Sequence, residues 1–155
     1  MTTPEANSLE HLVPADLSTS EIMTPVSRTC SPFSTVTEAV MIFKQEGITY
    51  VPVVDAGKPV GIVTDREIAL AVPDDLALAQ QPVSTVMNQD FLSTTESTPV
   101  SEIVKMISDT EARLVLVVNH EGLLSGIISW PDLAARLSSE VVSTIFNPEE
   151  TRQSS

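Results

Sequence analysis

The sequence holds a single cysteine, Cys30, which excludes an intrachain disulfide and a cysteine-based metal cluster. That usage fits a reducing compartment, so a cytoplasmic location is the expectation. Basic residues are also scarce: eight Lys and Arg stand against 21 Asp and Glu, for a net charge of −13. Nucleic-acid affinity comes largely from Lys and Arg on phosphates, so a nucleic-acid partner is excluded, and an anionic membrane surface is disfavoured. The acidity itself speaks to solubility rather than to fold. No apolar run approaches the ~20 residues of a membrane span. The stretch Met1–Asn7 lacks the basic and apolar segments of a signal peptide. The two histidines, His11 and His120, have no ligand-spaced partner, so no metal is expected. There is no P-loop, no GxGxxG and no nucleophile motif. With no acid, base or nucleophile constellation, the chain is not expected to be an enzyme or to carry a cofactor.

What the chain does have is a repeat and enough apolar residues to build a core, 42% of the total, only 4% of the chain being aromatic. Tyr50–Asp55 and Pro59–Thr64 are β-branched runs flanking a glycine turn, a hairpin signal. A variant recurs as Leu114–Val118 and Leu124–Ser129, and a stretch that appears twice defines the architecture. Ahead of the first hairpin, Val36, Ala39, Val40 and Phe43 fall on one helical face, capped by Ser34 and stopped by Gly47. Ahead of the second, Val100, Ile103, Val104 and Ile107 keep the same spacing behind Thr98. Short lead-ins, Ile22-Met23 and Val86-Met87, precede each helix, with Val26–Cys30 a candidate strand. Each hairpin runs into a closing helix, the first carrying Ile68, Ala69 and Val72 and the second spanning Asp132–Leu137.

The expected class is α+β: two pseudo-symmetric repeats, each a lead-in, a helix, two or three strands and a helix, packed sheet to sheet. The boundaries are a loose arm over residues 1–16, repeat 1 over 17–78, repeat 2 over 79–138 and a polar tail over 139–155. Pro73–Pro82 is the linker. A unit of this size buries too little surface to be comfortable alone, which is why the two are expected to share a core.

Ile22-Met23-Thr24-Pro25, Thr37-Glu38-Ala39, Tyr50–Asp55 and Gly61–Glu67 resemble a CBS domain, and Met87 onward resembles a second. The resemblance covers Ile22 to Leu137. It implies a CBS pair, or Bateman module: a stand-alone regulatory protein that binds an adenosine-containing ligand between its repeats and dimerises. It implies AMP or ADP as ligand, ADP and AMP being favoured over ATP by the chain's negative charge, and an effector on another protein chain. The other reading is a structural dimerisation or protein-interaction module with vacant sites.

The family's ribose pattern is Gly, apolar, any, Ser/Thr, two of any, Asp/Asn. Gly126-Ile127-Ile128-Ser129-Trp130-Pro131-Asp132 matches it fully, so the resemblance assigns ribose contacts to Ser129 and Asp132. Ser-x-x-Asp is equally a helix N-cap pattern, with Pro131 near the start. The first repeat has Glu67 where the pattern has Asp or Asn, and Thr64-Asp65-Arg66-Glu67 reads as a capping box. With a side chain one methylene longer, Glu67 is expected to project further into its cleft, and the Thr64/Glu67 site is read as degenerate. For the Ser129/Asp132 site the resemblance brings in Met23, Thr24, Val26, Ile48, Thr49 and Tyr50 around the base. Met23 and Val26 serve equally as core. Arg113 and Arg28 are the phosphate candidates, since an arginine fork matches phosphate oxygens. Trp130 is expected to pack at the strand–helix corner or at a dimer contact.

Overall fold

The computed structural model describes residues 17–110 and 112–136. The expected arm (1–16) and tail (139–155), with His11, lie outside them. In chain order the elements are α1 (Thr19–Ile22), β1 (Thr24–Pro25), α2 (Val36–Glu46), β2 (Tyr50–Asp55) and β3 (Lys58–Thr64). They continue with α3 (Asp65–Ala71), three 3-10 turns (Val72–Asp74, Leu78–Gln80, Val83–Thr85), β4 (Leu92–Thr95), α4 (Val100–Thr110), β5 (Leu114–Val118), β6 (Leu124–Ser129) and α5 (Trp130–Arg136).

Contacts divide the chain into two compact units that cut across the sequence repeats. The first gathers residues 17–25, Leu92–His120 and 125–136. The second gathers Val26–Phe91 with Glu121–Leu124. Each unit therefore contains the helix and strands of one repeat and the lead-in of the other.

In the first unit the sheet order is β1-β6-β5-β4. β4 runs parallel to β5, Leu92 opposite Val115, and β1 runs antiparallel to β6, Thr24 opposite Ile127. The second unit repeats this plan with fewer paired residues. β2 and β3 form an antiparallel ladder from Tyr50↔Thr64 to Asp55↔Lys58. A parallel bridge Cys30↔Val53 and an antiparallel bridge Ile62↔Asn88 stand where β4 and β1 stand in the first unit. The strand expected over Val26–Cys30 is thus reduced to one residue. Cys30 donates to Pro52 O at 2.9 Å and accepts from Val54 N at 2.8 Å, and Pro32 soon after has no N–H with which to prolong a ladder.

α4 buries Val100, Ile103, Val104 and Ile107, the face its spacing predicts. In α2 the face is turned: Val36, Ala39 and Ile42 are buried, whereas Val40 is 42% exposed. The apolar residues of α2 span too wide an arc for periodicity to choose among them, and packing selects Ile42 over Val40. The cap is Thr35, whose hydroxyl accepts from Glu38 N at 3.2 Å, while Ser34 accepts from Ser31 N. Gly47 ends α2 in the left-handed region at φ 67°, where glycine has no steric cost. On α3, Ile68 and Ala71 pack on the core, whereas Ala69 and Val72 are exposed. The expected linker is anchored: Leu78 is buried, Thr37 donates its hydroxyl to Ala79 O, and Val36 N reaches Gln81 O. The closing helix starts at Trp130, two residues before the expected Asp132.

Each unit has its own aliphatic cluster. One joins Ile22, Ile103, Val104, Val115, Ile128 and Leu133; the other joins Val36, Ala39, Val51, Val53, Val63 and Val83. Strand centres are buried on both faces: Val115, Leu116 and Val117 are each at most 1% exposed, although alternate residues point to opposite sides. Among the described residues no helix is long and apolar enough to cross a membrane.

Ile103→Ala should lower unfolding stability by about 2–5 kcal/mol in urea titrations, as large-to-small core changes do. Val40→Ala, on the face of α2 that periodicity alone would bury, should cost less than about 0.5 kcal/mol. Burial pushes the Cys30 thiol above its ordinary value, outweighing the hydrogen bond with Ser34 that pulls it down. The nucleophile is the thiolate, so Cys30 should stay unlabelled by a thiol reagent at pH 8 in the native protein and label on unfolding in urea.

Candidate functional site

The strand–helix corner of the first unit is built from three separated pieces of chain. β6 delivers Ser129 to the sheet's end, and α5 starts at once, with Trp130 N donating to Arg113 O at 3.1 Å. Arg113, exposed, precedes β5 on the neighbouring strand. Thr24 and Pro25 lie on the other side of β6, opposite Ile127 and Gly126. Met23 fills the space over Gly126 and packs on the first cluster. Asp132 lies in the first turn of α5; its side chain falls outside the description. Leu133 next to it is fully buried and fixes the helix on the sheet. Trp130 also packs on that cluster, as the packing reading expects. Met23, Thr24, Arg113, Ser129 and Asp132 thus belong to one unit, around one end of one sheet.

The corner of the second unit is equivalent. β3 ends at Thr64, Asp65 N donates to Thr49 O at 3.0 Å, and Tyr50 pairs with Thr64. Thr49 stands in the place that Arg113 holds in the first unit, so this corner has a neutral residue where the other has a cation. Val26, Ile48, Thr49, Tyr50, Arg28, Thr64 and Glu67 all belong to this second unit. Ile48 packs on its core.

One expectation is corrected here, and one phosphate candidate is located. Glu67 does not project outward: its carboxylate accepts the Thr64 hydroxyl hydrogen bond, and the same hydroxyl accepts from Glu67 N at 3.4 Å. The longer side chain has room to fold back on its own cap, which a shorter aspartate reaches less easily. The capping arrangement therefore differs from the expected box in one detail, the Glu67 carboxylate taking the hydroxyl rather than the Thr64 N–H. Arg28 is drawn to the end of α2, donating to Gln45 Oε1 at 3.1 Å and pairing with Glu46 at 3.7 Å. Both ion-pair partners are more than a third exposed, so the pair is a weak one.

Sequence reasoning named Met23 and Met87 in the lead-ins but missed that each is seated on a glycine, Met87 over Gly61 and Met23 over Gly126. The signal was present: each methionine and each glycine recurs at the matching point of both repeats.

Comparison with known proteins adds a family and a fold. The CBS domain profile matches residues 20–74 and again 83–139. The CBS domain-containing protein YhcV of Bacillus subtilis is 32% identical over 117 residues, 76% of this chain and 83% of its own length. The AcuB protein of Vibrio cholerae, a putative acetoin utilization protein, superposes with a TM-score of 0.72 at 25% identity, covering 79% of this chain and 92% of that one. CBSX2, crystallised in complex with AMP, shares the fold at a TM-score of 0.68 and 22% identity, over 77% of this chain and 94% of the other.

Because Thr64 caps α3 through two bonds to Glu67, Thr64→Ala should cost about 0.5–2 kcal/mol of stability, measured by urea titration. Arg28→Ala should cost less than about 1 kcal/mol. Equal losses in the two variants would contradict this ranking.

Proposed function

The chain belongs to the CBS-domain family, which it represents with two copies of the domain, and from that premise we propose that it is a regulatory protein sensing an adenosine-containing ligand. The ligand sits at the corner of the first unit. Ser129 and Asp132 hold the ribose hydroxyls, Thr24 lies beside the base with Met23 packed behind it, and the Arg113 guanidinium meets the phosphate. A carboxylate suits the ribose because it accepts hydrogen bonds from two hydroxyls at once.

The observation that carries this reading is the convergence of Thr24, Arg113 and Ser129 on one sheet end, in the unit whose pattern is complete through Asp132. The AMP complex of CBSX2 supports an adenine nucleotide as the ligand class. One cation at the corner and a net charge of −13 favour AMP or ADP over ATP. The corresponding corner of the second unit is read as degenerate, since Thr49 replaces the cation and the Glu67 carboxylate is engaged by Thr64. The protein is not an enzyme on this reading, and it needs no cofactor. Ligand binding biases a conformational equilibrium, which requires differential affinity for two states, and an effector chain in the cytoplasm responds. Homodimerisation belongs to the same reading. It is supported by the exposure of Phe33, Leu70 and Leu76, at 86, 65 and 97%, on the second unit, since such apolar side chains are covered in assemblies. A structural module with vacant sites is the second reading, favoured by the Glu67 geometry alone.

Calorimetric titration with AMP, ADP, ATP and S-adenosylmethionine tests the proposal. One AMP or ADP per chain should bind, with ATP weaker. Asp132→Ala should lower affinity at least tenfold, and Glu67→Ala should leave it within about twofold. Binding lost in Glu67→Ala and kept in Asp132→Ala would move the site to the second unit. No heat with any ligand from a folded sample would favour the structural module.

A further inference from the structure

The chain has only five glycines, and two of them are not explained by backbone conformation. Gly47, Gly57 and Gly122 adopt positive φ, but Gly61 and Gly126 do not. Any residue could take their backbone angles, so it is space that demands glycine there. A Cβ at Gly126 would stand 2.5 Å from Met23 Sδ, 2.8 Å from its Cγ and 3.1 Å from its Cβ. A Cβ at Gly61 would stand 2.7, 2.9 and 3.2 Å from the same atoms of Met87. The thioether ends cannot simply swing away, since Met23 and Met87 are packed on the two clusters, and the methionine Cβ contacts, at 3.1 and 3.2 Å, would still ask the lead-in to give by a few tenths of an ångström. The lead-in backbone would have to move.

That backbone is what the corner borrows from the other repeat. Met23 is followed by Thr24, opposite Ile127, in a strand of two residues. Met87 is followed by Asn88, whose N–H and carbonyl both bond Ile62, at 2.8 and 3.0 Å. Each seat lies three residues before the corner residue of its strand, Ser129 or Thr64. With so short a ladder, the register of the lead-in depends on the side chain that drops into the seat.

We infer that Gly126 is a positioning residue for the Ser129 site, with Gly61 its counterpart in the second unit: each is a seat that receives the other repeat's methionine and thereby holds Thr24 or Asn88 against the strand. Gly126 acts through Met23 and Thr24 and touches no ligand. The inference rests on the reading of the Ser129 corner as the ligand site, and the test separates the two.

Amide hydrogen exchange and AMP titration are measured on the full chain for wild type, Gly126→Ala, Gly61→Ala and Met23→Ala/Gly126→Ala. Gly126→Ala should speed exchange at least tenfold in residues 19–25 and in β6, and weaken AMP binding at least tenfold. The double variant, with the methionine shortened to match, should bring exchange back to within about threefold of wild type. Gly61→Ala should speed exchange around Ile62 and Asn88 while AMP affinity stays within about twofold. Unchanged exchange in Gly126→Ala, or a double variant no better protected than the single, overturns the inference. If wild type binds no AMP, the functional reading fails, and the exchange pattern still decides whether the seat positions the lead-in. If Gly126→Ala does not fold, Met23→Val, which adds a branch at Cβ, presses the seat from the other side and is read in the same way.

Discussion

The free edge of β6 is completed by Thr24 and Pro25, residues of the first repeat's lead-in rather than the second's. A sheet edge presents unpaired N–H and C=O groups, and leaving them buried without partners is costly. The chain meets this constraint by exchange: the first lead-in closes the sheet of the second repeat, and Asn88 from the second lead-in bonds the edge of β3 in the first. α1 is tied into the same unit, Thr19 donating through both its N–H and its hydroxyl to Thr98 O. Each compact unit is then a composite of both repeats, and neither repeat's sheet is complete in its own stretch of sequence.

The exchange also sets what stands at each strand–helix corner. In the first unit it puts Thr24 beside the strand that ends in Ser129, while the neighbouring strand begins just after Arg113. In the second, the same backbone arrangement carries Thr49, Thr64 and Glu67. The two corners share hydrogen-bond geometry, Trp130 N to Arg113 O matching Asp65 N to Thr49 O, and differ in chemistry. One has Arg113 just before its neighbouring strand. The other has no cation at that place, and its longer carboxylate is turned back on a cap.

Local signals were legible wherever a single element decides the outcome. The repeat, both hairpins, the α4 face, the left-handed Gly47 and the Thr64 cap are all readable, because each depends on spacing within a few residues. The reading was less successful where two elements compete for one arc. α2 has apolar residues on too broad a stripe, and only its packing shows that Ile42 is inside and Val40 outside. The same applies to Ala71 against Val72 on α3, and to the linker, which carries a buried Leu78. Of the candidate site, the pattern Gly126–Asp132 was readable as a motif. The posture of Glu67 and the ion pair of Arg28 were not: the first is a choice of rotamer on its own cap, and the second joins residues far apart in sequence.

By itself the sequence determined the number of repeats, the order of helix and strand within each and the acidic, cysteine-poor character of the chain, because these follow from composition and short-range periodicity. Tertiary structure alone decided which lead-in joins which sheet, because strand pairing is a long-range choice that periodicity does not encode. It alone revealed why Gly61 and Gly126 are glycines, since both have backbone angles open to any residue. Their cause is a methionine arriving from the other repeat, and a steric requirement of that kind exists only once two distant segments have been brought into contact.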